Sequence, residues 1–85
     1  MTWIIKNNCK FLLYIDGSNI ELASGGEFKR TVKIFDTVFI LSKDGFIEAI
    51  NEYNELKSVT SIGKLTYTIE NLHSDYIVIT VSEKE

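Results

Sequence analysis

Eighty-five residues, 45% hydrophobic and 25% charged, suffice for one domain with a single modest core and not for two. The ordinary hydrophobicity and the formal net charge of −3 exclude intrinsic disorder, which needs few apolar residues and much charge. No apolar run approaches the roughly 20 residues of a spanning helix. Lys6 and two asparagines cut off Trp3-Ile4-Ile5 before it reaches signal-peptide length, so the simplest expectation is a cytoplasmic chain.

In chain order, Thr2 to Lys6 and Lys10 to Ile15 predict a β-hairpin turned at Asn7-Asn8. Asn19 to Ala23, Phe28 to Ile34 and Thr37 to Ser42 predict three further strands. Their turns fall at Asp16-Gly17-Ser18-Asn19, Ser24-Gly25-Gly26 and Asp44-Gly45, where glycine, asparagine and aspartate tolerate positive φ. In the middle strand Phe28, Arg30, Val32 and Ile34 share one face, with Lys29, Thr31 and Lys33 on the other.

Phe46 to Lys57 breaks this rhythm. As a strand it would place Phe46, Ile50 and Leu56 beside Glu48 and Glu52. As a helix it gathers Phe46, Ala49, Ile50, Tyr53 and Leu56 on one side, with Glu48, Asn51, Glu52 and Glu55 opposite and Asp44 as N-cap. The spacing therefore predicts a short helix over about 45–57, and a hairpin turn at Asp44-Gly45 is the competing reading. Alternation then returns. Leu65, Tyr67 and Ile69 oppose Thr66, Thr68 and Glu70, and Ile77, Ile79 and Val81 oppose Tyr76, Val78 and Thr80, which predicts a C-terminal antiparallel hairpin. The expectation is a mainly β domain over residues 1–82, a small antiparallel sandwich or barrel with one short helix (α+β in the strict sense), and a frayed tail at 83–85.

Residues that carry chemistry are sparse. Cys9 is the lone cysteine, so no internal disulfide forms, and it is expected to be a half-buried apolar side chain. The only histidine stands in His73-Ser74-Asp75, whose adjacent residues cannot converge as a triad does. Asp16 with Glu21, or Glu48 with Glu52, would work as a carboxylate pair only inside a cleft. Ser24-Gly25-Gly26-Glu27 lacks the lysine of a phosphate loop. The inventory predicts no catalytic residues, no metal and no cofactor.

Charge is unevenly distributed. Residues 1–43 carry six Lys/Arg against four Asp/Glu, and residues 44–85 carry three Lys against eight Asp/Glu. On the expected helix Glu48, Glu52 and Glu55 fall at i, i+4 and i+7 as a negative strip that Asp44 extends, suited to steering the protein onto a basic partner surface. The leading expectation is therefore a non-enzymatic protein-binding module. A specific version is a small acidic inhibitor or accessory protein, for example phage-encoded, acting on a nucleic-acid-handling partner. The alternative is an OB-like binder of single-stranded nucleic acid, with Lys6, Lys10, Lys29, Arg30 and Lys33 as the basic set and Phe11 and Tyr14 as stacking platforms. The acidic balance of the chain argues against it.

Two stretches carry a family likeness. Ile5-Lys6-Asn7-Asn8, Leu13 and Ile20-Glu21-Leu22 before Gly25-Gly26-Glu27-Phe28 resemble the opening strands of bacterial immunoglobulin-like modules. Leu65 to Leu72 followed by Tyr76 to Val81 is similar to their closing strands. Together they span about half the chain, and the motifs are generic to β-sandwiches. The resemblance implies a binding or extracellular spacer module without catalytic residues. The expected helix and the absence of a cysteine pair depart from that pattern.

Overall fold

The computed structural model describes residues 1–16, 19–52, 55–73 and 76–84. The strands are β1 (Thr2–Asn7), β2 (Leu13–Ile15), β3 (Ile20–Leu22), β4 (Glu27–Thr31), β5 (Thr37–Leu41), β6 (Gly45–Glu52), β7 (Glu55–Gly63), β8 (Leu65–His73) and β9 (Tyr76–Glu83). They form two sheets, one of four strands in the order β4-β1-β9-β8 and one of five in the order β3-β2-β5-β6-β7. Every described pairing is antiparallel except β1 with β9, which run parallel. The result is a small β-sandwich with no helix among the described residues.

Alternation builds the core from both sides. Trp3 and Ile5 on β1 and Ile77, Ile79 and Val81 on β9 supply one layer. Leu13 and Ile15 on β2, Val38 and Ile40 on β5, and Ile47 and Ala49 on β6 supply the other. Burial of these aliphatic rows, at roughly 1.5–3 kcal/mol per large side chain, is the main favourable contribution. Two buried asparagines tie the layers at opposite ends. Asn7 donates through Nδ2 to the carbonyls of Phe11 and Leu22 and accepts the Cys9 amide on Oδ1. Asn51 donates through Nδ2 to the Lys33 carbonyl at 2.6 Å, and its own amide reaches the Asp36 carbonyl.

Two expectations change. First, the described residues of 45–57 form no helix, and Tyr53 of the expected apolar face lies outside the described residues. Residues 45–52 are β6, a central strand paired with β5 on one side and β7 on the other, and residues 55–57 begin β7. Ile47, Ala49 and Asn51 are buried, with a period of two. On the helical wheel Ile47 falls outside the apolar face and Asn51 falls in solvent. Pairing on both sides satisfies the β6 backbone, and tertiary contact overrides local periodicity. Asp44, accordingly, caps no helix and sits in the β5–β6 turn.

Second, Asn7-Asn8 is not a hairpin turn. β1 and β2 lie in different sheets, because Asn7 is drawn inward to bond three backbone groups instead of exposing a turn. β9 runs through Glu83, and the Lys84 amide donates to the Lys64 carbonyl at 2.7 Å. The C-terminal hairpin is as predicted: Tyr67 faces Val81 and Ile69 faces Ile79.

The chain crosses from β7 in one sheet to β8 in the other at Gly63-Lys64. Gly63 has φ +80°, and a Cβ there would lie 2.3 Å from the Asp44 carbonyl oxygen, so only glycine fits this corner. The crossing aligns the free edges of β7 and β8 along one side of the sandwich. Tyr67 bridges them by donating its hydroxyl to the Val59 carbonyl.

Candidate binding face

Because β6 is a strand, its solvent side carries Phe46, Glu48, Ile50 and Glu52. Strand pairing extends these into rows across the outer face of the five-stranded sheet. One row is Tyr14, Leu41, Phe46 and Ile62. The next is Phe39, Glu48 and Thr60, and the next is Thr37, Ile50 and Ser58. Glu52 and Glu55 close the far end as a directly opposed pair. The Phe39 and Phe46 rings pack diagonally, 5.7 Å apart and tilted by 33°, within the range of favourable aromatic pairs. Ile62 is 60% exposed and Phe39 36%. This is an apolar strip on a surface where an antiparallel sheet ordinarily presents polar residues.

Asp16 shapes one margin of the strip. It follows β2 at φ 53°, in the left-handed region that aspartate enters more readily than most residues. From there its amide donates to the Phe39 carbonyl, its Oδ1 accepts the Phe39 amide, and its Oδ2 takes the Arg30 guanidinium. Arg30 comes from β4 in the other sheet, so the ion pair clamps the two layers where β2 leaves β5. Asp16, Arg30, Thr37, Phe39, Leu41 and Phe46 line a shallow groove of about 460 Å³. A smaller hollow of about 240 Å³, lined by Phe11, Leu12, Tyr14, Lys43 and Asp44, adjoins the strip through Tyr14.

The four acidic residues singled out in the sequence stay on or beside this surface, by a different geometry. Glu48 and Glu52 lie four residues apart on the solvent side of β6, about 13 Å at the strand rise. Glu55 faces Glu52 from β7, and like charges so opposed are mutually unfavourable. Asp44 is exposed at the opposite end of β6, and Glu21 lies across from Tyr14 on β3. Carboxylates thus surround an apolar centre instead of forming one helical strip.

The basic set of the nucleic-acid reading is dispersed. Lys6 pairs with Glu27 at 3.5 Å, and with Lys29 it lies on the outer face of the four-stranded sheet. Arg30 is committed to Asp16, and Lys10 and Lys33 lie in loops. Tyr14 is on the opposite sheet, and Phe11 packs against the core. Of the carboxylate pairs weighed, Asp16 is engaged with Arg30 and Phe39, and Glu21 is exposed one strand away. Cys9 is fully buried, its Sγ against the Val81 carbonyl, and burial first, then the Glu83 carboxylate, push its thiol above the ordinary value. His73 ends β8, and Ser74 and Asp75 lie outside the described residues. Among the described residues no group of three or more His, Cys, Asp or Glu is placed to hold a metal ion, and no helix is long and apolar enough to cross a membrane.

Phe39, Leu41, Phe46 and Ile62 were not anticipated as surface residues. The signal was Thr37 to Leu41, where apolar residues occupy both parities of one strand. In an antiparallel sheet with one solvated side, that leaves one apolar set without a core to enter. Comparisons with protein-family models, with curated proteins and with solved structures gave no match to this chain.

Proposed function

We propose that this protein is a non-enzymatic protein-binding module whose outer five-stranded face seats a segment rich in both basic and apolar side chains. The carrying observation is the arrangement of charge around grease: Tyr14, Phe39, Leu41, Phe46 and Ile62 in contiguous rows, with Glu21, Asp44, Glu48, Glu52 and Glu55 around them. Productive interfaces concentrate binding energy in a desolvated aromatic and aliphatic centre. Surrounding charges mostly of one sign steer encounter and disfavour partners of like charge. A cation placed between Glu52 and Glu55 relieves their repulsion, which gives a basic partner a specific advantage at that end. Surfaces that bind nucleic acid are basic, so an inhibitor or accessory of a nucleic-acid-handling protein is the version of this function best matched to the charge. The likeness of the opening and closing strands to bacterial immunoglobulin-like modules supports a binding role over a catalytic one.

The test is titration of an extended peptide alternating lysine with leucine and tryptophan, beside an otherwise identical peptide carrying glutamate. The lysine peptide should bind, with affinity that falls as salt rises. The double variant Glu48→Lys/Glu52→Lys should weaken it by tenfold or more while its melting temperature stays within a few degrees of the parent. Equal binding by parent and double variant, or equal binding of both peptides, overturns the proposal.

A further inference from the structure

We propose that the partner segment lies extended along the seam between β2 and β5, with two apolar anchors four residues apart seated in the two hollows of the outer face. This rests on the binding role proposed above and adds to it a direction and a spacing. The larger hollow, about 460 Å³, has Leu41 in its wall, and the smaller, about 240 Å³, has Tyr14. Tyr14 and Leu41 are directly paired across β2 and β5, so this pair stands as a ridge between the hollows. The other lining residues put the hollows in line along the strands. Asp16, Thr37 and Phe39 wall the larger one on one side of the ridge, and Leu12 and Lys43 wall the smaller one on the other. From Phe39 to Lys43 is four residues along β5 and the turn after it, roughly 13 Å at the strand rise.

That separation selects the backbone conformation of the occupant. An extended segment turns every second side chain to one side, so residues i and i+4 face the same way about 13 Å apart, with i+2 over the ridge. A helix returns to the same side at about 10.5 Å (i+7) and about 16.5 Å (i+11), and its positions near 13 Å face elsewhere. Volume assigns the anchors. The larger hollow includes the Phe39 and Phe46 rings and suits an aromatic side chain, and the smaller suits a leucine.

Charge sets the residues between the anchors. Glu21 faces Tyr14 from β3 and Glu48 faces Phe39 from β6, so carboxylates flank the seam on both sides. Within the hollows the charges offset one another: Asp16 holds Arg30, and Asp44 accompanies Lys43. Lysines at i+1 and i+3 leave the backbone away from the sheet, and their flexible four-carbon stems let the ammonium groups reach sideways to Glu21 and Glu48. The occupant is an extended segment of a partner protein with an aromatic and an aliphatic anchor at i and i+4 and lysines between them.

Calorimetric titration with the peptide Lys-Trp-Lys-Leu-Lys-Leu-Lys and its variants tests the spacing. Glycine in place of the tryptophan or of the last leucine should weaken binding about tenfold, because each anchor fills a hollow. Glycine in place of the middle leucine, over the ridge, should cost about threefold or less. Thr37→Trp fills the larger hollow from β5; it should weaken the parent peptide about tenfold and leave the tryptophan-to-glycine peptide unaffected. If Thr37→Trp does not fold, which its melting curve reports, the peptide series decides alone. Equal losses at all three apolar positions, or equal effects of a folded Thr37→Trp on both peptides, overturn the inference. The binding role still stands in that case if the lysine peptide outbinds its glutamate counterpart. Equal or tighter binding by a peptide with its two anchors seven residues apart overturns the extended conformation. Absence of binding by every lysine peptide overturns the inference and the binding role together.

Discussion

The two outer faces of the sandwich use apolar residues to opposite ends. On the four-stranded sheet, Ile4 and Val78 sit side by side with relative exposures of 8% and 4%. Their row continues to Lys29 on one side and Glu70 on the other, and threonines Thr2, Thr31, Thr66, Thr68 and Thr80 share the face. Long side chains flanking a small apolar centre cover it with their methylene stems, and the charges there balance. On the five-stranded sheet the apolar residues are larger, contiguous and left open, and the surrounding charge is mostly negative. One face covers its apolar residues, and the other leaves Phe39 and Ile62 exposed. The lesson is that an apolar residue on a sheet's solvent side is read by its neighbours: a pair covered by long side chains is buried, and a row of large residues without such cover stays open.

This contrast can be broken experimentally, most severely at the corner that sets the two sheets against each other. Gly63→Ala should cost about 2–4 kcal/mol, because a strained φ and a backbone collision coincide there; chemical denaturation measures it, and a loss below about 0.5 kcal/mol would mean the corner relaxes freely. Next comes the covered pair. Ile4→Ala should lose about 2–4 kcal/mol, as buried aliphatic truncations do, with no effect on binding of the lysine peptide. The open row should behave in reverse. Ile62→Ser should change stability by about 0.5 kcal/mol or less yet weaken peptide binding, and if Ile62→Ser destabilises as much as Ile4→Ala the two faces are not different in kind. A charge reversal at Lys29, on the covered face, should leave peptide binding within about twofold of the parent, which calorimetry resolves.

The smallest effect concerns Cys9, inside the sandwich. Its folded-state thiol titrates above its ordinary value of 9.0, chiefly because burial disfavours the thiolate. Below pH 9 the thiol is protonated in both folded and unfolded chains and stability is unaffected. As pH rises past 9, the unfolded chain releases the proton first, so stability should fall until the folded thiol also ionises. Cys9→Ser should flatten that decline in a pH series of denaturation curves. The native thiol should also alkylate slowly at pH 8 relative to the unfolded chain.

Strands whose two parities differ in polarity were legible from the sequence. The β8–β9 hairpin, the inward rows of Leu65 and Tyr67 against Ile79 and Val81, and the alternation of Phe28, Arg30 and Val32 follow from a period of two on a pleated backbone. The acidic residues were legible as a group, though not their arrangement. Glu48 and Glu52 share a face in a helix and in a strand alike, since four residues is close to one helical turn and is also two strand repeats. Glu55 keeps their company only because the β6–β7 pairing places it across from Glu52.

What composition and alternation settled by themselves was a mainly β chain with a greasy interior, because side-chain parity is a local property of extended backbone. Sheet membership was decided by tertiary structure alone. It separated β1 from β2 by pulling Asn7 inward, made 45–52 a central strand by pairing it on both sides, and set Phe39 beside Phe46 with carboxylates around them. Those outcomes depend on hydrogen bonds and contacts between residues distant in the chain, and no local period records which distant strand will satisfy a given backbone.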